Sequence, residues 1–164
     1  MKLVMKEYKK VVVKIGSALI SDSILSSIDL IKNLSKQVST ASENTKFIIV
    51  SSGAISQGMN ILNIESKPKD LQSLQALAAI GQQQLMGLYE KAFGDAKKLI
   101  AQVLLTHDDM NDHAKYKNAK ATIDKLLNLN VIPIINENDV VATEEIRFGD
   151  NDKLAAMVAN LINA

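Results

Sequence analysis

Four short apolar runs punctuate this chain, and between them the apolar residues recur at helical spacing, a pattern that constrains the fold more than any other feature of the sequence. Such alternation predicts βα units around a parallel sheet, because parallel strands must be joined by crossovers. The runs are Val11 to Ile15, Phe47-Ile48-Ile49-Val50, Leu99 to Leu105 and Val131 to Ile135. The second is continuously β-branched and aromatic, as expected of a strand covered on both faces. Pro133, which has no N–H to donate, weakens the strand pattern of the last run. Ile28, Ile31, Leu34 and Val38 predict an amphipathic helix over 26–42. Leu71, Leu74, Leu77, Ala78, Leu85, Leu88 and Tyr89 predict a long one over 70–93, with Gly81 and Gly87 as close-packing points. Further helices are expected over 112–129 and 151–162. No repeat, low-complexity tract or Pro/Gly-rich linker marks an internal boundary. The expected fold class is therefore α/β, a doubly wound three-layer αβα sandwich with a mainly parallel sheet.

Composition narrows the function. In 164 residues, 19 Lys plus Arg nearly cancel 18 Asp plus Glu, so no chain-wide field favours nucleic acid or an anionic membrane. Aromatics make up only 4% and Trp is absent, which leaves few platforms for base stacking. The absence of cysteine excludes disulfides, thiol nucleophiles and thiolate metal sites within the chain, and fits a reducing compartment. The basic N-terminus, Met1 to Lys10, leads into Val11-Val12-Val13, but Lys14 interrupts the run long before the roughly 18 apolar residues of a membrane span. A cytoplasmic protein is the expectation.

Ligands of open α/β sheets bind beyond the carboxyl ends of the strands. Three such places stand out. After the first run, Lys14-Ile15-Gly16-Ser17 offers a cation and a glycine turn, although a lysine extending along apolar surface to water would look the same. After the second, Ser51-Ser52-Gly53-Ala54 leads into a helical pattern through Ile55, Met59 and Leu62. There a Ser/Gly turn presents helix N–H groups to an anion, or serine simply caps the helix. After the last run, the chain turns abruptly polar at Asn136-Glu137-Asn138-Asp139. Further on, Phe148-Gly149-Asp150-Asn151-Asp152 opens the final helix with three capping-type side chains where one would suffice. Other schemes find little footing: no P-loop, dinucleotide fingerprint or G-x-S-x-G elbow occurs. His107 and His113 do not have the one-face spacing of paired metal ligands and read as surface residues, so no metal site is expected.

Taken together, Val12 to Ser17, Val50 to Ile55, Gln102 to Thr106, Ile134 to Asp139 and Phe148 to Asp152 resemble, in order, the motifs of the glutamate 5-kinases within the amino acid kinase family. Val141-Ala142-Thr143 joins the two acidic motifs in the same way. The resemblance implies the amino acid kinase fold and ATP-dependent phosphorylation of the glutamate side-chain carboxylate, the first step of proline synthesis, with Mg²⁺ and proline feedback. It implies catalytic roles for Lys14 and Asp152, substrate contacts from Ser52, Gly53, Asp139 and Asn151, and ATP phosphate contacts from Lys14, Gly16 and Ser17. Asp139 would take the α-ammonium group, and Asp152 would orient catalytic lysines. The chemistry is coherent, since an ionised carboxylate needs no general base but must be brought to an anionic γ-phosphate among cations and N–H donors.

His107 and His113 depart from the arginines common at these positions. The resemblance further implies that residues 1–164 form the amino-acid-binding part, with the nucleotide-binding half and a second catalytic lysine beyond residue 164. Alone, the chain is then expected to be inactive. Leu154, Met157, Val158 and Leu161 of the last helix would be partly uncovered, favouring self-association into a homo-oligomer. The competing reading is a non-catalytic module that senses glutamate or proline, although sensing alone would not require Lys14 and Asp152.

Overall fold

The computed structural model describes residues 9–21, 24–42, 44–142 and 151–164. Within them four parallel strands form one sheet: β1 (Lys10–Ile15), β2 (Lys46–Ser51), β3 (Leu99–Leu105) and β4 (Val131–Glu137), in the order β1-β2-β4-β3. The helices are α1 (Ala18–Ser21), α2 (Ile24–Ala41), α3 (Ala54–Leu62), α4 (Leu71–Asp95), α5 (His107–Asn111), α6 (His113–Asn128) and α7 (Asp152–Ile162). All four strands point the same way, so Gly16, Ser52, Thr106 and Asn138 leave the sheet along one edge. No helix among the described residues is long and apolar enough to cross a membrane.

The layers follow from strand periodicity, since alternate residues face opposite sides. Ile49, Ile132 and Ile134 join Ile31, Leu85, Tyr89 and Phe93 beneath α2 and α4. Ile48, Val50 and Ile135 face the other way, with Ile123, Leu127, Leu154 and Val158 of α6 and α7. Residues 48–50 are fully buried, as their unbroken apolar run predicts. Each such side chain contributes about 1.5–3 kcal/mol through burial. Pro133 sits in a central strand. It pairs with Ala101 on the β3 side, and the β2 ladder begins only at the next residue, Ile134.

Three expectations need completing or correcting. The helix expected over 112–129 forms as α6, but a short helix absent from the expectation precedes it: Thr106 and Asp109 form a capping box at the start of α5, and Asp112 Oδ1 then accepts from Ala114 and Lys115 N–H, each at 2.9 Å, to start α6. In α7, Leu154, Val158 and Leu161 are buried rather than uncovered, and only Met157 is partly exposed. They pack on the sheet and α6, while Lys10 Nζ donates to Ile162 O (2.9 Å) and Lys120 Nζ to Leu161 O (2.5 Å), satisfying carbonyls at the helix end. The expected driving force for self-association is thereby removed.

The third correction concerns glycine. A Cβ on Gly87 would meet nothing within 4 Å, whereas one on Gly81 would lie 1.8 Å from Ala54 O and one on Gly58 2.1 Å from Leu77 O. α3 and α4 therefore cross backbone to backbone, each contributing one glycine. Gly81→Ala should force the helices apart and lower stability by about 1–3 kcal/mol or more. Gly87→Ala should be neutral or stabilising by up to about 1 kcal/mol. Urea unfolding of the two variants checks the contrast.

Candidate active site

At the carboxyl edge of the sheet, β2 and β4 share a ladder at only two register pairs, Ile49 with Ile134 and Val50 with Ile135. Beyond them the strands are joined by a side chain. Asn151 Nδ2 donates to Ser51 O at 2.6 Å and to Asn136 Oδ1 at 2.8 Å. Asn136 Oδ1 also accepts from the Glu137 N–H (2.9 Å), and its Nδ2 donates to Gln82 Oε1 on α4 (2.8 Å). Asn151 occupies the N-cap position of α7 yet makes no side-chain cap hydrogen bond. Its amide serves the site instead.

This bridge closes one wall of a cavity of about 100 Å³ lined by Ser17, Ser52, Gly53, Lys67, Asp139 and Asn151, among others. Ser52 is 5% exposed, and its Oγ has no hydrogen-bond partner among the described residues, a polar atom left for a ligand. Gly53 is required twice over. Its φ of 102° is left-handed, and a Cβ there would stand 2.9 Å from Ile20 Cγ2. The first intrahelical bond of α3 runs from Gln57 N to Gly53 O, so the N–H groups of Ala54, Ile55 and Ser56 precede the helix ladder. They make a donor-rich end suited to a carboxylate. Below the turn, Tyr89 OH and Ser51 Oγ lie 3.0 Å apart, and burial pushes the Tyr89 hydroxyl up to about 12.

Asp139 lines the same cavity as these donors. Burial pushes its carboxyl up to about 6, with Lys67 pulling the other way. Asp139 also borders a second, larger cavity of about 600 Å³ between α4, β3 and β4, where Gln82, Gln102 and Glu137 contribute. Lys14 and Asp152 sit outside the small cavity as an ion pair, 2.5 Å apart, with Asp152 largely exposed. The open space left by Gly16 is bounded by Lys14, whose Nζ lies 3.7 Å from where a Gly16 Cβ would stand. The structure thus gathers Ser17, Ser52, Gly53, Asp139 and Asn151 around one cavity and places the Lys14–Asp152 pair beside it. Thr143, Phe148, Gly149 and Asp150 of the quoted motifs lie outside the described residues, as do Met1 to Tyr8.

Comparison with known sequences gives this arrangement its context. Residues 9–164 match the model of the amino acid kinase family. The chain belongs to that family. It is 48% identical over 164 residues to a glutamate 5-kinase of Teredinibacter turnerae, covering 95% of this chain and 42% of that protein. It is 46% identical over 157 residues to one of Thermus thermophilus, again covering 95% and 42%. A third, of Nitrosospira multiformis, is 46% identical over 166 residues, covering 100% and 45%. The chain therefore spans less than half the length of these relatives.

Several site residues escaped the sequence reading. Asn136 lay inside a quoted motif without a role. Lys67, in Lys67-Pro68-Lys69, looks like a solvated turn, and Gln82 is hidden in a run of three glutamines. His107, read as a surface residue, is 7% exposed, with Nδ1 3.2 Å from Glu137 Oε2, while His113 is exposed. The capping box around His107 was the available signal, because it turns the first residue of α5 back under the end of β4.

The raised pKa of Asp139 has a sign that can be checked. Ionised Asp139 opposes folding: the cost is absent below about pH 4, where the carboxyl is protonated folded and unfolded alike, and is complete once pH exceeds about 6. Asp139→Asn should therefore stabilise the chain at about pH 8, on the order of 1–3 kcal/mol. That advantage should vanish at about pH 4. Thermal unfolding at the two pH values provides the measurement.

Proposed function

We propose that this chain forms the amino-acid-binding part of an enzyme that transfers the γ-phosphoryl group of ATP to the side-chain carboxylate of L-glutamate, giving L-glutamyl 5-phosphate for proline synthesis. The observation that carries this reading is the cavity itself. It brings a half-buried carboxylate, Asp139, and the donor-rich start of α3 into one lining, with a lysine ion pair outside it. An α-amino acid with a second carboxylate matches that division. Its ammonium offsets the charge of Asp139, and its side-chain carboxylate reaches toward Ser52, Gly53 and the first turn of α3. Asn151 holds the two strands in register around it.

Transfer joins two anions, so the work falls to positioning and charge compensation. Lys14 faces the phosphoryl side, with Gly16 and Ser17 allowing the phosphates to approach the backbone. Asp152 fixes the direction of the Lys14 ammonium group. Mg²⁺ would enter with the nucleotide and supply positive charge to its phosphates. We assign the adenine site and the second catalytic lysine to the part of the relatives that lies outside the match. Proline shares the ammonium and α-carboxylate of glutamate and would compete for the same pocket. A cytoplasmic location completes the proposal. A purely sensory module has less support, because the Lys14–Asp152 pair has no task in sensing.

The test is glutamate-dependent ADP release by the complete enzyme, with the acyl phosphate trapped by hydroxylamine as the hydroxamate. No hydroxamate would sink the reading. Asp139→Ala should raise the KM for glutamate at least about tenfold and leave that for ATP unchanged, since a charge-assisted contact is worth roughly 1.5–3 kcal/mol. Lys14→Ala should instead depress kcat, because its cation matters most as charge develops on the phosphoryl group. A loss confined to KM would move Lys14 out of the catalytic role.

A further inference from the structure

The geometry points to Lys67 as the residue that receives the α-carboxylate of the amino-acid substrate and so selects α-amino acids over simple amines. This inference rests on the function proposed above and adds to it a residue that no motif of the sequence singles out.

Among the described residues lining the small cavity, Lys67 is the cation and Asp139 the anion. The two lie close enough for Lys67 to oppose the upward shift of the Asp139 carboxyl. The α-ammonium and α-carboxylate of an amino acid share one carbon atom, so a pocket that seats the first on Asp139 must seat the second nearby. Lys14 is unsuited to that task, being held by Asp152 on the phosphoryl side. The N–H groups at the start of α3 are occupied by the far end of the substrate. Without Lys67, a substrate of net negative charge would be brought beside the half-buried Asp139 with no cation lining the cavity, an arrangement that desolvation makes costly.

The local chain supports the placement. Lys67 lies in the connection between α3 and α4, whose crossing is fixed by Gly58 and Gly81. At one end Asn63 closes α3 in a left-handed conformation, with Ile64 N bonded to Met59 O at 2.9 Å. At the other, Asp70 Oδ1 caps α4 by accepting from Ser73 N at 2.8 Å. Pro68 biases Lys67 itself toward an extended backbone. The lysine stem thus starts from an anchored position, while its exposed head remains free to meet an incoming carboxylate.

The experiment is calorimetric titration of the complete enzyme with L-glutamate and with 4-aminobutyrate, which lacks the α-carboxylate. Lys67→Ala should weaken L-glutamate binding about tenfold and leave 4-aminobutyrate binding unchanged. Lys67→Arg should restore most of the loss. Lys69→Ala removes the same charge two residues away, from a side chain outside the cavity, and should change neither. Equal L-glutamate affinity in the wild type and Lys67→Ala, or equal losses in Lys67→Ala and Lys69→Ala, would overturn the assignment and leave the functional reading standing. Failure of the wild type to bind L-glutamate would overturn both, and an unchanged unfolding midpoint in Lys67→Ala ties any loss to the pocket.

Discussion

The bridge made by Asn151 between Ser51 O and Asn136 Oδ1 holds the rest of the site in place. Two parallel strands that part after two register pairs would ordinarily leave unpaired backbone groups in a buried cleft, and such groups are costly to strand away from water. One amide with two N–H donors satisfies an acceptor on each side. The separation of β2 and β4 is thereby kept, and the cavity between Gly53 and Asp139 exists because the strands do not close. Asn136 extends the same network to Gln82, which ties the cleft to α4.

Charge is distributed unevenly around this cleft. Lys14 and Asp152 meet at the exposed side, where solvent weakens their attraction. Asp139 is half-buried, and that burial favours its neutral form. A ligand that brings its own ammonium group offsets that effect, so binding energy is drawn from a cost already present in the empty protein. The buried His107 and Glu137 meet at the end of β4, next to the Asn138-Asp139 turn.

The sheet was legible because its strands are buried on both faces: Ile48, Ile49 and Val50 leave no alternation to mistake for an exposed hairpin. The long α4 was legible from its apolar spacing. Other features were hidden for definable reasons. The division between α5 and α6 rests on side-chain caps at Thr106 and Asp112 in a stretch with little apolar period. Burial of Leu154, Val158 and Leu161 depends on which surface α7 meets, and that is a property of topology rather than of its own sequence. Among the site residues, those following strands could be read because parallel sheets place ligands there. Lys67, lying in an interhelical loop, carried no such positional rule.

The glycine crossing of α3 and α4 limits how this pocket can change over generations. Because Ala54 O and Leu77 O already touch the neighbouring glycines, α3 cannot slide or tilt to suit a longer or shorter ligand without rebuilding α4 as well. A descendant that lined this cavity for a different ligand would have to inherit this helix end unmoved and vary other lining residues, in the turn that bears Asp139 and the loop that bears Lys67. Divergence in this lineage should therefore be written in those two loops, while the helix pair persists as a fixed wall of the cavity.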